Sequence, residues 1–222
     1  MFRKKIGFTL AEVLITIGII GLVATMTLPT LMNGISDRSI AAKTKHFYSL
    51  ISQATKTYMA QNSLFSLKDV VDCSLPYNND MCLNSKTPSI QKMVETSLKI
   101  TQKCKALNKC FSSTITWKNK QVNPNTIMAG GRDISSYVLL DGYIISLRRW
   151  DINDRIKLFV DVNGTKGPNT IGYDIWEMEI LNDGSIDTST SGSINNTWDK
   201  NYSVCFGEFV KNGFKLKTNK TK

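Results

Sequence analysis

Hydrophobic positions divide the chain into three regimes. From Phe8 to Leu28 nearly every residue is apolar, and Glu12 is the single charge in 21 residues. As a helix this run spans about 31 Å, the thickness of one hydrocarbon core. From Thr30 to about Gln61 the pattern turns amphipathic. Ile40, Phe47, Leu50, Ile51, Ala54 and Tyr58 recur at near-helical spacing, and Lys43, Lys45, Gln53 and Lys56 fall on other faces. Together the two regimes predict one long helix from Phe8 to about Gln61. Pro29 predicts a kink or loosening near residues 21–29, because its ring clashes with the preceding turn and removes a hydrogen bond. Gly34 weakens the helix locally.

The third regime is the remainder. Residues 62–86 are turn-rich. Thr87 is placed to cap a helix with Pro88 at its first position, and Ile90, Met93, Val94, Ser97 and Leu98 then follow one helical face. Beyond this the period shortens. The segment from Tyr137, through Asp141-Gly142, to Leu147 predicts a β-hairpin. Further strands are expected over residues 156–162 and 175–181, the latter ending in a tight turn at Asp183-Gly184 before Ile186. The expected fold class is α+β, an antiparallel sheet packed on the long helix. Trp198, Tyr202, Phe206, Phe209 and Phe214 are too many aromatics for a free tail, so the chain is expected to fold back at least to Phe214. Lys215, Lys217, Lys220 and Lys222 then form a solvated end. An aromatic and basic strip that binds nucleic acid is the sharper alternative for this region.

Flanking residues decide what the apolar run does. Arg3, Lys4 and Lys5 precede it, and positive flanks resist translocation, so that side stays cytoplasmic and everything after Leu31 is exported. A secretory signal peptide has a shorter apolar core and a small-x-small cleavage site, and Thr25-Met26-Thr27 is a poor one. A plain anchor gives Glu12 no role, although a carboxylate at mid-bilayer costs about 2.5–3.5 kcal/mol and usually has a partner. The run Lys5-Ile6-Gly7-Phe8-Thr9-Leu10-Ala11-Glu12-Val13-Leu14-Ile15 resembles the leader of type IV pilins and type II secretion pseudopilins. The resemblance implies cleavage after Gly7 by a dedicated membrane peptidase and N-methylation of Phe8. It also implies a division into a leader at residues 1–7, a transmembrane and assembly helix at 8–29, its amphipathic half at 30–62 and a pilin-like head at 63–222. Glu12 of one staggered helix could then lie beside the Phe8 amine of its neighbour, neutralising both charges in a low-dielectric layer. Gly18, Gly21, Ala24 and Thr25 offer small surfaces for close helix approach, though glycine is common in membrane helices generally.

Composition narrows the chemistry. Net charge is +10, and loss of Arg3, Lys4 and Lys5 with the leader leaves +7, so contact with nucleic acid or anionic surfaces is an open expectation. Five cysteines in an exported domain suggest disulfides. The expected pairs are Cys73–Cys82 and Cys104–Cys110, leaving Cys205, with Cys110–Cys205 as an alternative. A single histidine, His46, excludes a histidine zinc cluster and most hydrolase templates, and it is expected at a surface or interface. Glu177 and Glu179 share a strand face and are expected at a solvated or hydrogen-bonded rim. No catalytic constellation is found, so the chain is expected not to be an enzyme.

One loop carries candidate metal ligands. Asp161, Asn163, Asn169 and Asp174 could present oxygens to calcium, which wants 6–8. The loop resembles that of many pseudopilin-like proteins, in which Asp-x-Asn-Gly precedes Gly-Pro-Asn and a later Asp. It is not an EF-hand, since glycine falls at the fourth place and Gly172 replaces the bidentate acid. A turn stiffened by Asn, Gly and Pro is the simpler reading and is favoured.

The sequence therefore points to a filament subunit in the bacterial inner membrane, single-pass, with its head periplasmic or at the cell surface. Its expected partners are other copies or related pilin subunits, the prepilin peptidase, the inner-membrane assembly machinery and membrane lipid. The candidate systems are a secretion pseudopilus, an adhesion or motility pilus and a DNA-uptake filament. The loop tilts the choice toward secretion and the basic charge slightly toward DNA uptake. The reading from a different class is a monomeric, membrane-anchored binding protein.

Overall fold

A computed structural model describes residues 7–71, 88–105, 107–117, 120–128, 136–150, 155–188 and 206–216. Cys73, Cys82, Cys205, Thr87, Trp198, Tyr202 and the basic residues at 3–5 lie outside these. Two compact units are found, residues 1–39 and 40–222.

Helix α1 (Leu10–Gln61) has 52 residues and crosses the boundary between them. Its backbone remains helical through Pro29 and Gly34, where the sequence predicted loosening. Proline removes one donor, and the flanking turns keep theirs. In the first unit the described helix residues are exposed all round, with Ala24 and Asp37 intermediate. A helix apolar on every face has no single core-facing stripe, which is the pattern of a membrane span. Residues Leu10–Thr27 have mean hydropathy 2.0, long and apolar enough to cross a membrane.

In the second unit the pattern is one-sided. Ile40, Phe47, Ile51, Ala54, Tyr58 and Met59 of α1 are buried. Among the described side chains burial begins at Ile40, the first apolar position of the amphipathic pattern. The chain then makes a short 3-10 turn (Leu67–Asp69) and helix α2 (Ile90–Ser97). Ser89 caps α2, its Oγ accepting from Lys92 N at 3.2 Å. The cap therefore falls two residues after Thr87, because Ser89 takes the extended backbone a cap needs. The Tyr58 hydroxyl accepts from Ser89 N at 3.1 Å and donates to Ser89 O at 3.3 Å, tying α2 to α1.

Strand β1 (Ile100–Cys104), helix α3 (Leu107–Cys110), strands β2 (Ile115–Trp117) and β3 (Lys120–Val122) and helix α4 (Pro124–Met128) follow. Then come β4 (Ser136–Leu139), β5 (Ile144–Trp150), β6 (Arg155–Asp161), β7 (Ile175–Ile180) and helix α5 (Phe206–Lys211). Five strands form one antiparallel sheet in the order β1-β4-β5-β6-β7, and β2 pairs with β3 separately. The predicted hairpin is β4–β5. The predicted turn at Asp183-Gly184 precedes a bridge between Ile180 and Ile186. Gly184 has φ +78°, and a Cβ there would meet Met59 Sδ of α1 at 2.6 Å, so only glycine fits.

Alternation sorts the sheet's two faces. Ile145, Leu147, Ile156, Leu158, Val160, Trp176 and Met178 join the helix core, while Ile144, Phe159 and Ile175 point to a smaller core with Leu107, Phe111 and Ile115. The architecture is α+β and pilin-like, as expected. The C-terminal aromatics that are described do fold back. Phe209 stacks on Trp176 at 4.6 Å between centroids, and Phe206 and Phe214 both approach Tyr48 of α1 at 5.8 Å. Phe206 and Phe209 are buried, so they are not available to stack on nucleic acid.

Of the two expectations for Glu177 and Glu179, a solvated or a hydrogen-bonded rim, the hydrogen-bonded one is found. Lys157 Nζ lies 2.7 Å from Glu177 and 3.8 Å from Glu179, and Arg155 bridges Glu179 and Asp187 at 2.9 and 2.8 Å. Lys157 and Glu179 are cross-strand partners, which explains the pairing. Burial pushes the Glu177 carboxyl up, and the Lys157 ammonium works against it.

Cys104 and Cys110 form a disulfide with Cα atoms 5.9 Å apart, which excludes the Cys110–Cys205 alternative. It pins α3 to the end of the edge strand β1. Closing so short a loop constrains the unfolded chain modestly. Cys104→Ser with Cys110→Ser is expected to cost about 2 kcal/mol, read as a lower denaturation midpoint.

Candidate functional site

The amino-terminal site is built from a helix start. Residues 7–9 have no regular structure and α1 begins at Leu10. The Gly7–Phe8 bond therefore lies in exposed, non-helical backbone, the form a peptidase needs. Phe8 is 90% exposed, and nothing lies within 4 Å of where a Gly7 side chain would sit.

Thr9 and Glu12 form a capping box. Glu12 Oε2 accepts from Thr9 N and from Thr9 Oγ1, both at 2.8 Å, and Glu12 N donates to Thr9 Oγ1 at 3.3 Å. Two donors that would otherwise be orphaned at the helix start are satisfied reciprocally. The signal was in the sequence, as Thr-x-x-Glu ahead of an apolar run. Glu12 thus has a role within its own helix that the sequence reading did not give it. Among the described residues Glu12 Oε1 has no partner. One carboxylate oxygen is tied to its own helix and the other is open to a donor from elsewhere.

His46 is exposed, its Nδ1 2.8 Å from the Tyr143 hydroxyl, with no nucleophile in that contact.

The Asp161–Asp174 loop is brought together as the sequence suggested. It holds a cis Gly167-Pro168 bond and positive φ at Gly164, Asn169 and Gly172. Asp161 and Asp174 are fully buried. Asp161 Oδ1 accepts from Asn163 N at 3.1 Å. Asp174 accepts from Asn169 N at 2.9 Å and Thr170 N at 2.5 Å. The Asn169 amide is satisfied when its nitrogen faces Asp161 Oδ2 and Gly164 O, each at 3.2 Å. Asn163 Oδ1 is buried without a partner. Among the described residues no group of three His, Cys, Asp or Glu is placed to hold a metal. The arrangement is a turn stapled by side-chain hydrogen bonds, with Asp161, Asn163, Asn169 and Asp174 gathered in it.

Burial first, and the nearby Asp174 charge second, push the Asp161 carboxyl up to about 8. Burial likewise raises Asp174, against its backbone hydrogen bonds. The native state therefore holds the Asp161 proton over a range where the unfolded chain has lost it. The contribution of Asp161 to stability is fully present below the ordinary value of 3.8 and is lost as pH rises through about 8. In chelator, the melting temperature of the full chain in detergent is expected to fall from pH 5 to pH 8, and Asp161→Asn to flatten that fall. A melting temperature that rises over this range contradicts the assignment. Added calcium is expected to leave the curve unmoved.

Comparison with known proteins converges on the amino terminus. No curated protein and no solved structure matches the chain. A family model described as the prokaryotic N-terminal methylation motif matches residues 2–28. That match covers Gly7, Phe8, Thr9 and Glu12 and ends with the apolar run. The motif implies processing by prepilin peptidase and assembly with other pilin subunits, and with the apolar helix it fits a single-pass, membrane-anchored protein. The amino-terminal segment of this chain is a type IV pilin/pseudopilin leader.

Proposed function

We propose that the chain is a structural subunit of a type IV pilus-like or type II secretion pseudopilus filament. It is inserted in the inner membrane, cut after Gly7, methylated on Phe8 and polymerised through α1, with its head exported. The observation that carries this reading is Glu12. Its carboxylate stands two helix positions inside an otherwise uncharged span, with Oε1 uncommitted. Cleavage at Gly7 creates a cationic amine at Phe8, four residues before Glu12, so two axially staggered copies can satisfy each other's charge where isolated charges are penalised. Positive residues 3–5 on one side of the span support export of the head on the other. The head is a binding or structural module in this reading, not a catalyst.

Mass spectrometry of the protein from bacterial membranes tests it. A mature chain that begins with N-methylated Phe8 is expected. A chain that retains Met1 contradicts it.

A further inference from the structure

A cleft of about 480 Å³ opens on the head at the junction of four chain segments. Lys43 comes from α1, Lys109 from α3, Asp141 and Gly142 from the β4–β5 turn, and Lys166 from the loop after β6. Val138, Ile144 and Val162 supply apolar wall. Three ammonium groups and one carboxylate leave the lining at +2. The three lysines are exposed, and among the described residues none of them forms an ion pair. Some cations elsewhere on the head are paired. Lys103 pairs with Glu95, Lys157 with Glu177, and Arg155 with Glu179 and Asp187. Three ammonium groups and one carboxylate thus line one concavity.

The walls are held in place. The Cys104–Cys110 disulfide fixes the turn that carries Lys109. The β4–β5 turn and the loop carrying Lys166 approach so closely that a Cβ on Gly164 would meet Gly142 O at 3.1 Å. A concave, positively charged lining focuses the field and raises the local concentration of anions. The volume lies within the usual range for a ligand site. Lysines without arginine suit multiply charged, freely oriented oxygens better than planar carboxylates. Among the described residues no aromatic lines the cleft, so a ligand is held by its charge and not by base stacking.

We propose that this cleft binds phosphate groups, through Lys43, Lys109 and Lys166. Their source is either a free polyphosphate compound or the phosphodiester backbone of nucleic acid. This goes beyond filament assembly, which uses the other end of α1.

The test uses the full chain in zwitterionic detergent, titrated by calorimetry with tripolyphosphate and separately with a 20-base-pair duplex. One variant combines Lys43→Gln, Lys109→Gln and Lys166→Gln. A charge-matched control combines Lys56→Gln, Lys68→Gln and Lys211→Gln, all exposed and outside the cleft. A third variant replaces the three cleft lysines with arginine. The cleft variant is expected to lose at least tenfold in affinity, the control less than twofold, and the arginine variant to keep binding. For the duplex, the salt dependence is expected to flatten by about two to three phosphate contacts in the cleft variant only. Binding of tripolyphosphate alone assigns a free phosphate ligand, and binding of the duplex assigns the polymer. Equal weakening in cleft variant and control, or binding of neither probe by the unaltered chain, overturns the proposal.

Discussion

Glu12→Gln is expected to reduce assembled filament roughly 10–100-fold, the equivalent of about 1.5–3 kcal/mol for one charge-assisted hydrogen bond per subunit. The glutamine variant is decisive because the capping box gives Glu12 two functions. Glutamine at this position still reaches back to Thr9 N, so the helix start is kept and only the charge is lost. Glu12→Ala removes both, and a deficit there alone cannot separate pairing from capping. Thr9→Val removes the hydroxyl that donates to Oε2 and accepts from Glu12 N, leaving the charge. Charge pairing predicts that the glutamine and alanine variants fail alike, with membrane insertion unchanged, and that Thr9→Val retains most assembly. The measurement is the fraction of processed protein sedimenting as filament. A glutamine variant that assembles normally while alanine fails would assign Glu12 to capping alone.

Phe209→Ala is expected to destabilise the head by about 3–5 kcal/mol. Phe209 is fully buried and lies at the centre of the aromatic cluster, stacked on Trp176 and edge-on to Phe214 at 5.4 Å. Truncation leaves a cavity between α5 and the sheet that the backbone on either side cannot fill. Helix α5 has six residues and cannot persist without its packing. Against a total of about 5–15 kcal/mol, such a loss removes a large share of the head's stability. Trp176 fluorescence in a urea titration reports it directly. Lys211→Ala, at an exposed position of the same helix, is expected to change stability by less than about 0.5 kcal/mol. A Phe209→Ala midpoint close to that of the unaltered chain would show that α5 does not seal the core.

Legibility in the sequence followed periodicity. The long helix, α2, the β4–β5 hairpin, β6 and β7 all carry strong apolar patterns, and each is found within a residue or two, except that β5 runs three residues past Leu147 to Trp150. Strand β1 was missed because Thr101, Gln102 and Lys103 are all exposed on the sheet edge, so no alternation shows. Strands β2 and β3 have three residues each, too few for a period. The cap of α2 was misplaced because Thr87-Pro88 and Ser89 both carry start signals, and backbone conformation chose between them. At the candidate sites, Gly7, Phe8 and Glu12 were legible from a local motif. The capping box was equally local and was passed over. The lysine cleft was not legible at all, since Lys43, Lys109 and Lys166 meet only after three distant segments fold together. The orientation of the Asn169 amide likewise depends on Asp161 and Gly164 across the turn.

Zero-length carbodiimide coupling in isolated filaments tests the central claim most directly. It joins a carboxylate to an amine only where the two already touch. Two co-expressed copies, one carrying Ile15→Val as a mass label, distinguish coupling between chains from coupling within one. The account predicts an amide between Glu12 of one copy and the Phe8 amine of the other, with light and heavy peptides in one product. If Glu12 couples only within its own chain, or not at all while other carboxylates of the same filaments react, the helix is an anchor and not an assembly element.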